Sequence, residues 1–210
     1  MTNQIWLTVQ PGESQGVSPK LPSDSRTKIL EAAFAALSRD GYENASIKDI
    51  AAEAGVAQGL VHYYFKSKQQ LVLAVLFEVC KKMDVYTAEG EQGAMAAFEN
   101  FKTLLRTRPD AHTLYIQLIG VGLHDEEIGA GIRENIRGER GKVEELARQV
   151  LAERETDPRP ARAIAGAVWA GILGIMVQKM VDPDFNADEA VDALAAMSLQ
   201  AVYPSGLETA

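Results

Sequence analysis

Residues 56–68 read VAQGLVHYYFKSK. His62, Tyr63, Tyr64 and Phe65 are consecutive, and Lys66 follows directly. A short helix offers about two inward positions in such a stretch, so some of these rings must face elsewhere. The spacing predicts a helix from about Gln58 to Tyr64. In it Val61 and Phe65, one turn apart, pack inward with Val56. Gln58, His62 and Tyr63 then project outward, with Tyr64 at the edge.

The preceding residues give that helix a setting. In ASIKDIAAEAG, Ser46 is a good N-cap, and Asp49 three residues on can complete a capping box. Ile47, Ile50, Ala51 and Ala54 share one face. Gly55 is placed to end this helix in the left-handed conformation. An earlier helix is expected after Ser23-Asp24-Ser25, with Ile29, Leu30, Ala33, Phe34 and Leu37 at helical spacing and Gly41 as its stop. Two short helices joined by a glycine turn make a helix-turn-helix. Planar polar side chains on its outward helix suit a DNA major groove: Gln pairs with adenine, His with guanine, and tyrosine hydroxyls reach phosphate. Gly59 would allow close approach. On spacing alone, an ordinary core helix with its extra rings packed against the rest of the chain fits as well.

Composition narrows the class. The chain has 210 residues, 47% hydrophobic and 24% charged, enough for one good-sized core or a small domain and a larger one. Abundant alanine and few β-branched runs favour an all-α fold. Cys80 is the sole cysteine, so no intrachain disulfide or thiolate metal cluster is expected. The start of the chain lacks the basic and apolar segments of a signal peptide, and no apolar run is read as approaching the roughly 20 residues of a membrane span. These readings predict a cytoplasmic protein with no membrane partner. Residues 1–24, with Pro11, Gly12, Gly16, Pro19 and Pro22, are read as a mobile arm containing one apolar spot, Ile5-Trp6-Leu7.

Net charge is −8. Up to residue 68 the bases Lys20, Arg26, Lys28, Arg39, Lys48, Lys66 and Lys68 balance the acids Glu13, Asp24, Glu31, Asp40, Glu43, Asp49 and Glu53. The rest of the chain therefore carries the whole negative charge. A neutral head with local lysines on an acidic body is compatible with DNA binding through the head, while a non-specific DNA-coating protein would need a broadly basic surface.

Within residues 26–75, the stretch ILEAAFAALSRDGYENASIKDIAAEAGVAQGLVHYYFKSKQQLVLAV resembles the DNA-binding head of the TetR family of bacterial transcription regulators. It has the I-L-x-A-A helix, then G-Y-x-x-A-S-I-x-x-I-A, then A-G-V, then G-x-V-x-x-Y-F-x-S-K-x-x-L, in order. Two positions depart. Ala57 stands where serine is common, which removes a cap oxygen at a cost of ~1 kcal/mol. Leu60 stands where threonine or serine is common, leaving an apolar contact to a thymine methyl as the alternative. The resemblance implies that Lys48 and Gln58 reach base edges. It implies that Gly59, Leu60 and His62 face the groove, and that Ser46, Tyr63, Tyr64 and Lys68 meet phosphate. Ser46 and Ser67 begin helices, whose open amides favour an anion, and Lys66 and Lys68 add charge beside the second.

The division that follows is an arm over 1–24, a helix-turn-helix domain over 25–68 and a ligand-binding and dimerisation domain over 69–210. The body is expected to hold a fourth helix over about 68–87, a fifth over 94–107 after breaks at Gly90 and Gly93, and a sixth over 109–123. A polar seventh over about 126–155 carries the stripe Ile128, Ile132, Ile136, Val143, Leu146 and Val150. The resemblance implies homodimerisation through the last two long helices, about 160–180 and 187–202, as a four-helix bundle. Two reading helices held ~34–36 Å apart match successive major-groove faces of a palindromic operator in double-stranded DNA. It also implies a pocket for a small-molecule effector. Met83, Tyr86, Phe98, Phe101, Tyr115, Trp169 and Met176 are the bulky residues available to line it, for a hydrophobic or amphipathic ligand.

No cofactor or metal site is read: His112 and His124 are far apart, and His124-Asp125-Glu126-Glu127 suits a solvated helix start. Cys80 is expected to be buried and inert. No GxSxG, Walker loop, Cys/His cluster or dinucleotide turn is present, so an enzyme is not expected. The expected function is a repressor released from its operator by an effector. The alternatives are an effector-independent or non-specific DNA-binding protein, and a small-molecule carrier with a vestigial head.

Overall fold

Ile29, Leu30, Ala33, Ala36 and Leu37 return to one side of the chain every three or four residues, and all are buried. They make the inner face of α1 (Ser23–Asn44). The backbone breaks at Gly41, whose φ of 76° belongs to the left-handed region, and the last turn continues beyond it. The computed structural model describes residues 23–82 and 84–200. The expected arm, its Ile5-Trp6-Leu7 spot and Met83 lie outside the described residues.

Eight further helices follow: α2 (Ile47–Glu53), α3 (Gln58–Tyr64), α4 (Lys68–Lys82), α5 (Gly90–Thr107), α6 (Pro109–Gly122), α7 (Glu126–Glu153), α8 (Ala161–Val181) and α9 (Ala187–Gln200). No strand occurs among the described residues. The all-α expectation holds.

Two boundaries differ from the sequence reading, each for a local reason. α4 ends at Lys82, short of Thr87. In the connection that follows, the Asp84 carboxylate accepts from the Tyr86 amide, and Asn100 donates to the Val85 carbonyl at 2.9 Å. Such side-chain bonds compete with helix continuation. The second difference is Gly93, which lies inside α5 rather than before it. Only Gly90, with φ 64°, marks the break. α7 supplies the caps that α5 lacks: Gln149 Oε1 accepts from the Gly90 amide and Glu153 Oε2 from the Glu91 amide.

α7 is the central strut, about 42 Å long at 1.5 Å per residue. It packs against α4, α5, α6 and α8. Its buried stripe contains Ile128, Ile132, Val143 and Val150 as read from the sequence, with Ile136 and Leu146 half-buried. The main hydrophobic core runs without a gap from Ile29 and Val61 through Val75 and Leu118 to Ile175 and Val191. α1 packs directly on α6, so the first three helices sit on the body rather than hanging from α4 alone.

α8 corrects one expectation. Its 21 residues are long and apolar enough, by length and composition, to cross a membrane. Ala161, Ala165, Val168, Ile175 and Met176 are buried inward, yet only 22% of its most apolar window is covered by this chain. Alanines and glycines dilute the run, so it does not stand out in the sequence.

Candidate DNA-reading face and effector cavity

The geometry of the head is set by two short devices. Ser46 Oγ accepts from the Asp49 amide at 3.1 Å and donates to the Asp49 carboxylate, fixing the start of α2. At its end the Val56 amide donates to the Ala51 carbonyl and the Gly55 amide to the Ala52 carbonyl. This is a Schellman motif around left-handed Gly55, with φ 66°. α3 then starts at Gln58 with no side-chain cap from Ala57.

Val61 and Phe65 point into the core, at 0% and 4% exposure, with Val56 half-buried beside them. The remaining rings are dealt with individually. Tyr64 is half-buried and meets Tyr63 edge-on at 5.4 Å. Tyr63 stands outward at 56% exposure, with Lys66 over its ring. Gln58, Gly59 and His62 are exposed on the same short helix, and open space surrounds Gly59. Lys48 is exposed on α2, and Ser46 is half-buried. Leu60 is half-buried and packed on the core, which accounts for an apolar residue there. Lys68 turns back into the chain. Its ammonium donates to the Glu43 carbonyl at 3.3 Å and lies 4.5 Å from the Tyr42 ring centre, and burial pulls its pKa below the usual lysine value. Lys48 and Lys66 are exposed cations beside α3, and exposed Arg26 lies over the Phe65 ring at its end.

In the body, a cavity of about 130 Å³ lies between α4, α5, α6, α7, α8 and α9. Tyr86, Phe98, Phe101, Tyr115, Trp169 and Met176 all line it. The sequence reading missed its polar members Cys80, His112, Asn135, Glu139 and Ser198. Tyr115 donates to Asn135 Oδ1 at 3.0 Å, and burial raises the Tyr115 and Tyr86 hydroxyl pKa values. Burial pushes the Cys80 thiol up to about 12, so it is a half-buried, protonated thiol. Burial, helped by Arg108, pushes His112 down to about 4, leaving a neutral imidazole at pH 7. His112 Nδ1 and Trp169 Nε1 are both buried with no hydrogen-bond partner among the described residues. The signal for His112 was a lone histidine on the apolar α6, one turn from Tyr115.

One carboxylate ties the head to the body. Asp125 caps α7 by accepting from the Ile128 amide at 3.0 Å. Its other oxygen accepts from Gln69 of α4 at 3.2 Å and from the Tyr42 hydroxyl of α1 at 3.5 Å. The Ile128 amide chiefly, with Gln69 and Tyr42, holds its pKa below the usual carboxylate value. Arg108, one turn before His112, lies over the Phe34 ring of α1. No group of three or more metal-binding side chains occurs among the described residues.

The chain is all-helical among the described residues, with a helix-turn-helix head on a hollow body. The family model for bacterial regulatory proteins of the tetR family matches residues 29–75. A curated relative, the uncharacterized HTH-type transcriptional regulator YvdT of Bacillus subtilis, is 37% identical over 87 residues, covering 41% of this chain and 43% of that protein. The alignment thus spans less than half of that relative's length. A TetR transcription regulator from Haloarcula marismortui superposes with a TM-score of 0.72 at 21% identity, covering 86% of this chain and 98% of that one. A transcriptional regulator from Saccharomonospora viridis in complex with choline does so at 0.67 and 21% identity, covering 84% and 96%. At that identity these likenesses show the fold. Residues 29–75 are thus similar to the DNA-binding head of the bacterial regulatory proteins of the tetR family, and the curated relatives matched there are HTH-type transcriptional regulators.

Proposed function

We propose that this chain is a sequence-specific repressor, active as a homodimer, that leaves a palindromic operator when a small hydrophobic or amphipathic effector enters the body cavity. The carrying observation is the pairing of an outward-facing α3 with a hollow, apolar body joined to it through α6 and Asp125.

In this reading residues 25–68 act as the DNA-binding unit and 69–210 as the sensing and pairing unit. Gln58, His62 and Gly59 meet base edges, with Lys48 on the flank. Ser46, Tyr63, Tyr64 and Lys66 hold phosphates, and Lys68 does so on release from Tyr42. α8 and α9 form the dimer contact. Ala163, Ala167, Ala170, Gly174, Val177 and Val181 recur at alternating four- and three-residue spacing along one side of α8, all exposed but the half-buried Gly174. Ala193, Ala196 and Met197 are exposed on α9. Small residues at that spacing let helices approach closely, and a partner copy would cover this apolar face. A second copy also explains the membrane-like composition of α8. A cytoplasmic location follows from this reading.

Effector binding shifts the equilibrium only through different affinities for the DNA-competent and released states. α6 is the element that can carry the difference, since His112 and Tyr115 touch the cavity while Arg108 touches Phe34. The structural relative solved with choline supports a ligand site in a body of this fold. The test is selection of randomised duplexes on the purified protein, followed by sequencing. A palindromic motif with half-sites about one helical turn apart is expected. Recovery of no motif, or of a single half-site, would overturn the dimeric, sequence-specific reading.

A further inference from the structure

The cavity's chemistry narrows what it can hold. Among the described residues its lining is almost entirely hydrocarbon and aromatic, with one ionisable carboxylate, Glu139, and no lysine or arginine. Glu139 already has Lys142 Nζ at 3.1 Å. A ligand carboxylate would lose its water beside Glu139 and gain no cation in return. A ligand ammonium would find Glu139 already paired.

Two of the lining side chains, Trp169 and His112, each carry a buried polar atom with no hydrogen-bond partner among the described residues. The Trp169 indole N–H can only donate, so it needs an acceptor. His112, 5% exposed, offers Nδ1, which donates or accepts according to the tautomer. An unmet buried N–H is a standing cost that a ligand oxygen can remove. Size adds a second limit. The cavity's volume of about 130 Å³ is close to the ~150 Å³ that admits a benzene ring in an engineered apolar cavity. A longer chain would have to extend beyond this space.

We propose that the cavity takes a compact, uncharged, mostly apolar molecule of single-ring size that bears an oxygen acceptor, with that oxygen receiving the Trp169 indole N–H. The proposal rests on the reading of the cavity as the effector site. A hydroxyl on the same ring serves His112 in either tautomer.

The experiment uses the full chain and four probes of one shape: cyclohexanone, methylcyclohexane, cyclohexanecarboxylate and cyclohexylammonium. Affinities are measured by titration calorimetry on the unaltered chain and on Trp169→Phe. The expected result is that cyclohexanone binds more tightly than either charged probe. Its affinity relative to methylcyclohexane should fall about tenfold in Trp169→Phe, the effect of one hydrogen bond to a buried donor. A ratio unchanged by the substitution, or a charged probe binding tightest, would overturn the proposal. Binding of none of the four to the unaltered chain would instead remove the underlying reading of an effector cavity. A measurement without a variant guards against misfolding: in the nitrogen-15 spectrum, cyclohexanone should shift one of the two indole N–H signals downfield and methylcyclohexane should not. Equal shifts with both probes would also overturn the proposal.

Discussion

α3 and the body cavity treat polar groups in opposite ways. On α3, Gln58 and His62 are exposed, where water can satisfy them until a base edge replaces it. In the cavity, the Trp169 N–H and His112 Nδ1 are already out of water and unmatched. The first arrangement costs the free protein little, so specificity there is limited by what DNA offers in exchange. The second holds a cost that only a ligand relieves, so the cavity is predisposed to be filled. Under the proposed function, a reading surface and a sensing site on one chain differ in who carries the desolvation: the complex for α3, the free protein for the cavity.

That contrast is most easily broken at the base of the head. α3 is only seven residues long and has no side-chain cap, so its position depends on the core beneath it. Phe65→Ala empties a site where the ring is 4% exposed, and the expected loss is about 3–5 kcal/mol in urea unfolding, with DNA binding abolished. A loss below about 1 kcal/mol would mean that α3 is held by its own residues instead.

The cavity's share of the contrast appears as pH dependence. Below about 6.5 the unfolded chain's histidine takes up a proton. In the folded chain His112 stays neutral down to about 4. The unfolded state therefore binds more protons between these values, and stability must fall as pH drops through that window, by about 3 kcal/mol in all. His112→Leu should remove that part of the slope. Asp125 acts in the same direction at lower pH: its lowered pKa gives stability that is present above the ordinary carboxylate range and lost in stronger acid. The two windows are separable in unfolding curves taken from pH 7 to 3. An unchanged slope in His112→Leu would show that the imidazole is not held neutral.

On the exposed side, Gln58→Ala and Lys66→Ala should fail differently. Loss of a base contact should lower discrimination between the selected site and a scrambled duplex by about 1–3 kcal/mol. Loss of a phosphate contact should weaken both duplexes alike and reduce the salt slope by about 1. Equal losses from both substitutions would remove the division of labour assigned to this face.

The two regions also differed in how far the sequence disclosed them. The limits of α2 and α3 could be read from Ser46 and Gly55, because a cap and a left-handed turn are local events written in single residues. The cavity is assembled from six helices. Its aromatic members were legible as large apolar residues of the body, but His112, Asn135 and Glu139 were not, because which face of α6 and α7 turns inward is decided by packing between helices. The same limit hid the end of α4, set by Asn100 reaching back from α5, and the place of Gly93 inside α5. It also hid the inward turn of Leu60 and that of Lys68, the latter because its partners Tyr42 and Glu43 lie far back on α1.

The smallest expected effect is the most pointed. If the Trp169 N–H is a cost carried by the free protein, deleting it should not weaken the fold. Trp169→Phe removes the orphan donor and keeps a ring against the same neighbours. Relief of an unmet buried donor is worth about 1–3 kcal/mol, and the smaller ring gives part of it back through lost packing. The net expectation for the ligand-free chain is a change within about 1 kcal/mol, neutral or stabilising, read as melting temperature. Phe98→Ala offers the control, since it deletes cavity wall without touching a polar atom and should destabilise. A Trp169→Phe chain that melts well below the unaltered one would mean that the indole N–H is already satisfied in solution. The difference between the two regions would then vanish, since water would be serving both.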